Sequence, residues 1–111
     1  MVIAMFKAEK RDGVDAAEYQ RTAQHMMDLV SKMPGFISFK GCTTDDGETF
    51  AMATFESEEA LEAWHNHPEH RSTQRRGYEE FYESLWIRVC TVVREYEWKR
   101  GTDASPFHRT G

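Results

Sequence analysis

The sequence predicts an α+β domain built on an antiparallel sheet, with the element order β-α-β-β-α-β. Three observations carry that expectation: an apolar run at the start, an apolar repeat at helical spacing after it, and two strand-like segments joined through an Asp-Gly turn. The first strand is expected from Val2 to Lys7, apolar at nearly every position, with the polar stretch from Glu9 to Gly13 ending it. Asp15 and Glu18 have the spacing of a capping box, with Val14 and Tyr19 placed as its hydrophobic staple. Ala16, Tyr19, Ala23, Met26, Met27, Val30 and Met33 then recur at helical spacing until Pro34-Gly35.

The second and third strands are expected from Phe36 to Thr43 and from Thr49 to Phe55, around the turn TDDGE. Ser57 is the expected cap of a short helix carrying Ala60, Leu61 and Trp64 on one face. Pro68 suits the first position of a further helical segment, which Gly77 ends. A short aromatic connection from Tyr78 to Ser84 leads into a long last strand, expected from Leu85 to Glu97. Residues 98–111 have no periodicity and are expected to form a tail to a single domain spanning 1–97. The element order is that of the split βαβ, or ferredoxin-like, fold.

Composition narrows the function classes. A chain of 111 residues holds one modest core and gains from any extra buried area. The net charge of −5, with both signs interspersed, offers no basic stripe for nucleic acid. No apolar run approaches the ~20 residues of a membrane span, and the N-terminus does not resemble a signal peptide. Cys42 and Cys90 lack metal-type or redox-type spacing. A reduced, cytoplasmic protein is the expectation.

Alternation in the strands makes both faces of the sheet apolar. Val2, Ala4 and Phe6 oppose Ile3 and Met5; Ala51, Ala53 and Phe55 oppose Phe50 and Met52; Ile87, Val89 and Val93 oppose Trp86, Cys90, Val92 and Tyr96. Helices on one side cover one face only. The other is expected to pair with the sheet of a second copy across a two-fold axis, giving a homodimer.

The Met-Pro-Gly-Phe junction at Met33–Phe36 and the segment from Ala63 to Tyr96 resemble the antibiotic biosynthesis monooxygenase family. The most specific part is Trp64, His67, Pro68, Glu69, His70, Gln74 and Gly77, and the likeness covers roughly residues 1 to 97. The resemblance implies a dimeric α+β barrel with one pocket per subunit between sheet and helices. It also implies one of two chemistries: oxidation of aromatic phenols and anthrones by dioxygen without metal or flavin, or haem binding and degradation.

The first chemistry needs a proton acceptor, a donor for the substrate oxyanion and apolar walls. His70 is the candidate base. Arg88 and Tyr82 are the candidate oxyanion donors, and Trp64, His67, Gln74 and Trp86 the candidate substrate-binding residues. Each has a plainer role beside it: Trp64 as core, His67 as a helix cap, and Arg88 with Arg94 as partners for acids across a subunit interface. His65, His67 and His70 match no established zinc spacing and Pro68 breaks the run, so no metal is expected.

In the haem branch the iron-binding His lies about ten residues after the helix Trp, where this chain has Gln74. The Asn near the end of that branch's first strand is replaced by Phe6, Lys7 and Ala8. Both departures count against haem, and no cofactor is expected. The functional expectations are therefore a cofactor-independent monooxygenase acting on a small aromatic or polyketide-like substrate, a haem-degrading protein, and a non-catalytic dimeric domain binding a small hydrophobic molecule.

Overall fold

A computed structural model describes residues 1–101. The elements run β1 (Val2–Lys10), α1 (Ala16–Val30), β2 (Phe36–Thr43), β3 (Thr49–Phe55), α2 (Glu58–His65), α3 (Pro68–Arg76), a π-helical turn (Gly77–Phe81) and β4 (Tyr82–Thr91). The four strands form one antiparallel sheet in the order β2-β3-β1-β4. This is the expected ferredoxin-like arrangement, and no helix among the described residues is long and apolar enough to cross a membrane.

Local chemistry sets the helix ends. The Asp15 carboxylate accepts from the amides of Ala17 (2.9 Å) and Glu18 (3.1 Å). Glu18 does not complete the capping box; its carboxylate pairs with Arg21 and Arg76 instead. Those guanidiniums give Glu18 a stronger partner than one amide and hold its carboxyl below the usual range. Ser57 caps α2 by accepting from the Ala60 amide at 3.2 Å. Gly35 closes the α1–β2 turn at φ +83°, and a Cβ there would lie 2.6 Å from that of Ala60. Only glycine satisfies both the left-handed backbone and the close approach.

Two strands differ from expectation. β1 runs on to Lys10, because Ala8–Lys10 find partners in Leu85, Ser84 and Tyr82, with an irregularity between Glu9 and Lys10. β4 starts at Tyr82 and ends at Thr91, well before Glu97. Its one neighbour is β1, and β1 has run out: Val2 pairs with Thr91, and the Val92 amide takes the carbonyl of Met1. A strand edge without a neighbour cannot extend its ladder. The tail expected at 98–111 lies outside the described residues from 102 onward.

The core sits at one end of the sheet. Val2, Val30, Phe55 and Trp64 are buried together, with Met26, Leu29, Phe36 and Leu61 against them. Register then assigns the faces. Val2, Ala4, Phe6 and Ala8 pair with Phe55, Ala53, Ala51 and Thr49 on one side and with Thr91, Val89, Ile87 and Leu85 on the other. All of these look toward the helices. Ile3, Met5, Lys7, Phe50, Met52, Trp86, Arg88 and Cys90 look away from them.

Candidate functional site

The residues singled out in the sequence fall into three groups. The first is at the α2–α3 corner. His70 stacks on Trp64 with ring centroids 4.1 Å apart and planes 13° apart. Its Nδ1 is 3.0 Å from the Trp64 carbonyl oxygen, at the end of α2. Two groups face this nitrogen: the Trp64 carbonyl, which can only accept, and the Gln74 side-chain nitrogen, which can only donate, at 3.2 Å. The shorter contact is to the carbonyl, and with the hydrogen on Nδ1 toward it the lone pair of the neutral ring falls on Nε2. The Gln74 amide donates to the His65 carbonyl at 3.0 Å and fixes the same corner from one turn further on. Burial pushes the His70 pKa down, opposed by the Trp64 carbonyl and assisted by His65 and His67. A neutral imidazole with Nε2 free of any protein hydrogen bond among the described residues is a competent base.

His67 is in this corner with a capping role. Its Nδ1 accepts from the Glu69 amide at 3.2 Å, with Pro68 at the first position of α3. Among the described residues no three His, Cys, Asp or Glu side chains converge as a metal-binding group.

The second group lies at the other end of the helix-side face. The hydroxyls of Tyr19 and Tyr82 are 2.7 Å apart. Their rings meet each other and Phe81 edge-on, and Tyr82 also meets Phe6 edge-on at 5.4 Å. Gly77 makes the arrangement possible, since a Cβ there would come within 3.1 Å of the Tyr82 ring. Burial, and after it the bond to Tyr19, raises the Tyr82 pKa well above that of a free phenol, so this hydroxyl keeps its proton. The sequence singles out Tyr82 and gives Tyr19 a place in the staple and on the apolar face of the first helix. The signal for Tyr19 is faint, because a tyrosine on the buried side of an amphipathic helix needs a polar partner that only the fold identifies.

The third group is set apart. Trp86 and Arg88 stack on each other, the guanidinium 4.0 Å from a ring centroid, on the face of the sheet away from the helices. They do not share a pocket with Trp64, His70 or Tyr82. Alternation decides this: Arg88 pairs with Met5 and Trp86 with Lys7, whereas Phe6 and Ala4 are the helix-side residues of β1. A cleft of about 260 Å³ lies beside Trp86, lined also by Lys7, Glu48 and Ser84. Lys7 there bonds Glu48 (2.9 Å) and Asp46 (3.4 Å).

Between the first two groups the sheet offers an apolar floor: Ala4, Phe6, Ala53, Ile87 and Val89. The helices leave Ile87 and Val89 54% and 52% exposed, although both point to the helix side. At the Val2 end of this shelf Trp64 packs with Val2 and Phe55 and carries His70 stacked on its ring; at the other end Tyr82 meets Phe6. A separate groove of about 340 Å³ runs between α1 and α3, crossed by the His25–Glu69 pair at 2.6 Å and by Arg76 bonded to Thr22 and Glu18.

Comparison with known proteins agrees with this fold. The sequence profile of the family described as antibiotic biosynthesis monooxygenase matches residues 1–76. The chain belongs to this family. It is 27% identical over 103 residues to the uncharacterized protein YqjZ of Bacillus subtilis, covering 93% of this chain and 86% of that one. Among solved structures, Rv0793 of Mycobacterium tuberculosis superposes with a TM-score of 0.75 at 16% identity, over 85% of this chain and 96% of that one. SnoaB, a cofactor-independent oxygenase from Streptomyces nogalater, in a mutant form, superposes with a TM-score of 0.71 at 12% identity, over 85% and 94%. At such identities the structural likeness is one of fold. The family membership rests on the sequence match.

Proposed function

We propose that this family member is a cofactor-independent monooxygenase that oxidises a small, electron-rich aromatic substrate of the phenol, anthrone or polyketide type with dioxygen. The observation that carries the reading is His70: a neutral imidazole stacked on Trp64, Nδ1 committed to a backbone carbonyl, and Nε2 left with its lone pair. Family membership and the apolar shelf beside it support the same reading.

In the proposed reaction Nε2 of His70 takes a proton from the activated C–H or O–H of the substrate. The anion passes one electron to dioxygen, and the resulting radical and superoxide combine to a peroxide anion. That anion recovers a proton from the His70 imidazolium and loses water, leaving a carbonyl. For an anthrone the balance is CH₂ + O₂ → C=O + H₂O, with the substrate supplying every electron. The protonated Tyr82 hydroxyl suits the substrate oxyanion. A second copy covering the far face of the sheet would bury Ile3, Met5, Met52 and Trp86. Two free cysteines suit a reducing, cytoplasmic setting.

Dioxygen uptake with a panel of anthrones and hydroquinones tests the reading. Wild type turns over at least one member, and His70→Ala lowers that rate on the order of 10²-fold or more. No uptake with any member, or a Soret band shift on stoichiometric hemin with no aromatic turnover, overturns it.

A further inference from the structure

Only one proton can lie between the oxygens of Tyr19 and Tyr82, 2.7 Å apart. One phenol donates and the other accepts, and the acceptor keeps a hydrogen of its own for a third partner. The surroundings decide which is which. Lys10 holds its ammonium 4.0 Å from the centroid of the Tyr19 ring. A cation on the π face draws electron density from the ring and makes its hydroxyl the better donor. Among the described residues Tyr82 has no cation on its ring. It lies against Phe6 and Phe81, where burial, the larger cause of its raised pKa, favours the neutral phenol. The bond to Tyr19 raises that pKa only when Tyr82 donates; the Lys10 cation on the Tyr19 ring is what favours the opposite polarity. The same ladder pairs Lys10 with Tyr82, so strand register ties all three residues together. Other charged groups at this corner are Arg76, 4.8 Å over Phe81 and bonded to Glu18 and Glu80, and Arg11, whose guanidinium donates to the Glu79 carbonyl.

We propose that Tyr19 is a positioning residue: polarised by Lys10, its hydroxyl donates to Tyr82 and turns the Tyr82 hydrogen toward the anionic oxygen of a phenol-type ligand on the shelf floored by Phe6 and Ile87. A phenol that accepts one hydrogen bond donates a stronger one, so the chain Lys10, Tyr19, Tyr82 acts as a graded donor rather than as two separate hydroxyls. Among the described residues the Tyr82 hydroxyl has no hydrogen-bond partner except Tyr19, which leaves its own hydrogen available. This inference rests on the proposed phenol chemistry for its ligand class, but its readout does not need turnover.

The probe is 4-nitrophenol, whose phenolate is followed by its absorbance. The full chain is expected to bind it as phenolate, so that the bound probe ionises at a lower pH than the free one. Tyr82→Phe should weaken that preference on the order of 10²-fold, as for removal of one oxyanion donor. Tyr19→Phe should weaken it about tenfold while the probe still binds, and Lys10→Met should act in the same direction with a smaller effect. An unchanged midpoint in Tyr19→Phe overturns the proposal. So does a larger loss in Tyr19→Phe than in Tyr82→Phe, which would reverse the polarity of the pair. Far-ultraviolet circular dichroism and thermal midpoints separate these effects from unfolding. If the dyad behaves as expected but no anthrone or hydroquinone consumes dioxygen, the oxygenase reading fails and the donor chain stands. If turnover persists with Tyr19→Phe and the probe is insensitive to both tyrosines, the donor chain fails and the oxygenase reading stands.

Discussion

The two ends of the helix–sheet interface are built from different chemistry. At the Val2 end, Phe55 is fully buried and packs with Val2, Val30 and Trp64 without a polar side chain among them. At the Lys10 end, Tyr19, Phe81 and Tyr82 meet edge-on around a hydroxyl pair, with Lys10 and Arg76 over two of the rings. The first end supplies burial, which is non-directional and grows with area. The second supplies directed donors whose value lies in what they can still bind. His70 joins the two, since one face of its ring belongs to the Trp64 packing and its Nε2 does not.

The contrast is open to attack from the apolar end first. Phe55→Ala should cost about 3–5 kcal/mol, the range for emptying a buried aromatic site, and denaturant unfolding measures it. A loss below ~1 kcal/mol would mean that this end does not carry the fold. Next is Gly35→Ala. It forces a side chain into a left-handed backbone for about 1–2 kcal/mol and onto Ala60 for about 1–3 kcal/mol more. The thermal midpoint should fall accordingly, and the Gly35→Ala, Ala60→Gly double variant should recover only the steric part.

Tyr82→Phe should move stability far less, about 0.5–1.5 kcal/mol for one net hydrogen bond, while weakening the phenolate preference on the order of 10²-fold. A stability loss as large as that of Phe55→Ala would erase the distinction between the ends. The smallest expected effect is in acid. His70 has a folded pKa below its unfolded value, so above about pH 6.5 both states are neutral at this site and it adds no pH dependence. As pH falls through that value the unfolded chain takes up the proton first, and stability drops until the folded imidazole also protonates. His70→Gln should flatten that part of the stability–pH curve, and an unchanged curve would mean the site is not desolvated.

Much of the fold was legible along the chain because its determinants are local. Asp15, Ser57 and His67 cap helix starts through bonds that span three residues or fewer, Pro68 marks a first helical position, and Gly35 marks a turn through its own backbone angle. The ends of β1 and β4 were not legible, since a strand lasts as long as its neighbour does and that neighbour is distant in sequence. The same holds for the site. Trp64, His67, His70 and Gln74 lie within one turn-rich segment, and their mutual contacts follow from spacing. Arg88 and Trp86 were grouped with them by residue type, and only strand register puts them on the opposite face.

By itself, then, the sequence determined the order of elements, the caps, the two apolar faces of the sheet and the His70 corner, all properties of residues within a few positions of one another. Tertiary structure alone decided that Tyr19 meets Tyr82 across 63 positions of chain, that Lys10 lies over the first and not the second, and that Arg88 faces away. The physical reason is common to all three. A period of two or of 3.6 says which residues share a face, whereas which faces meet depends on a register between strands and helices that no local pattern encodes.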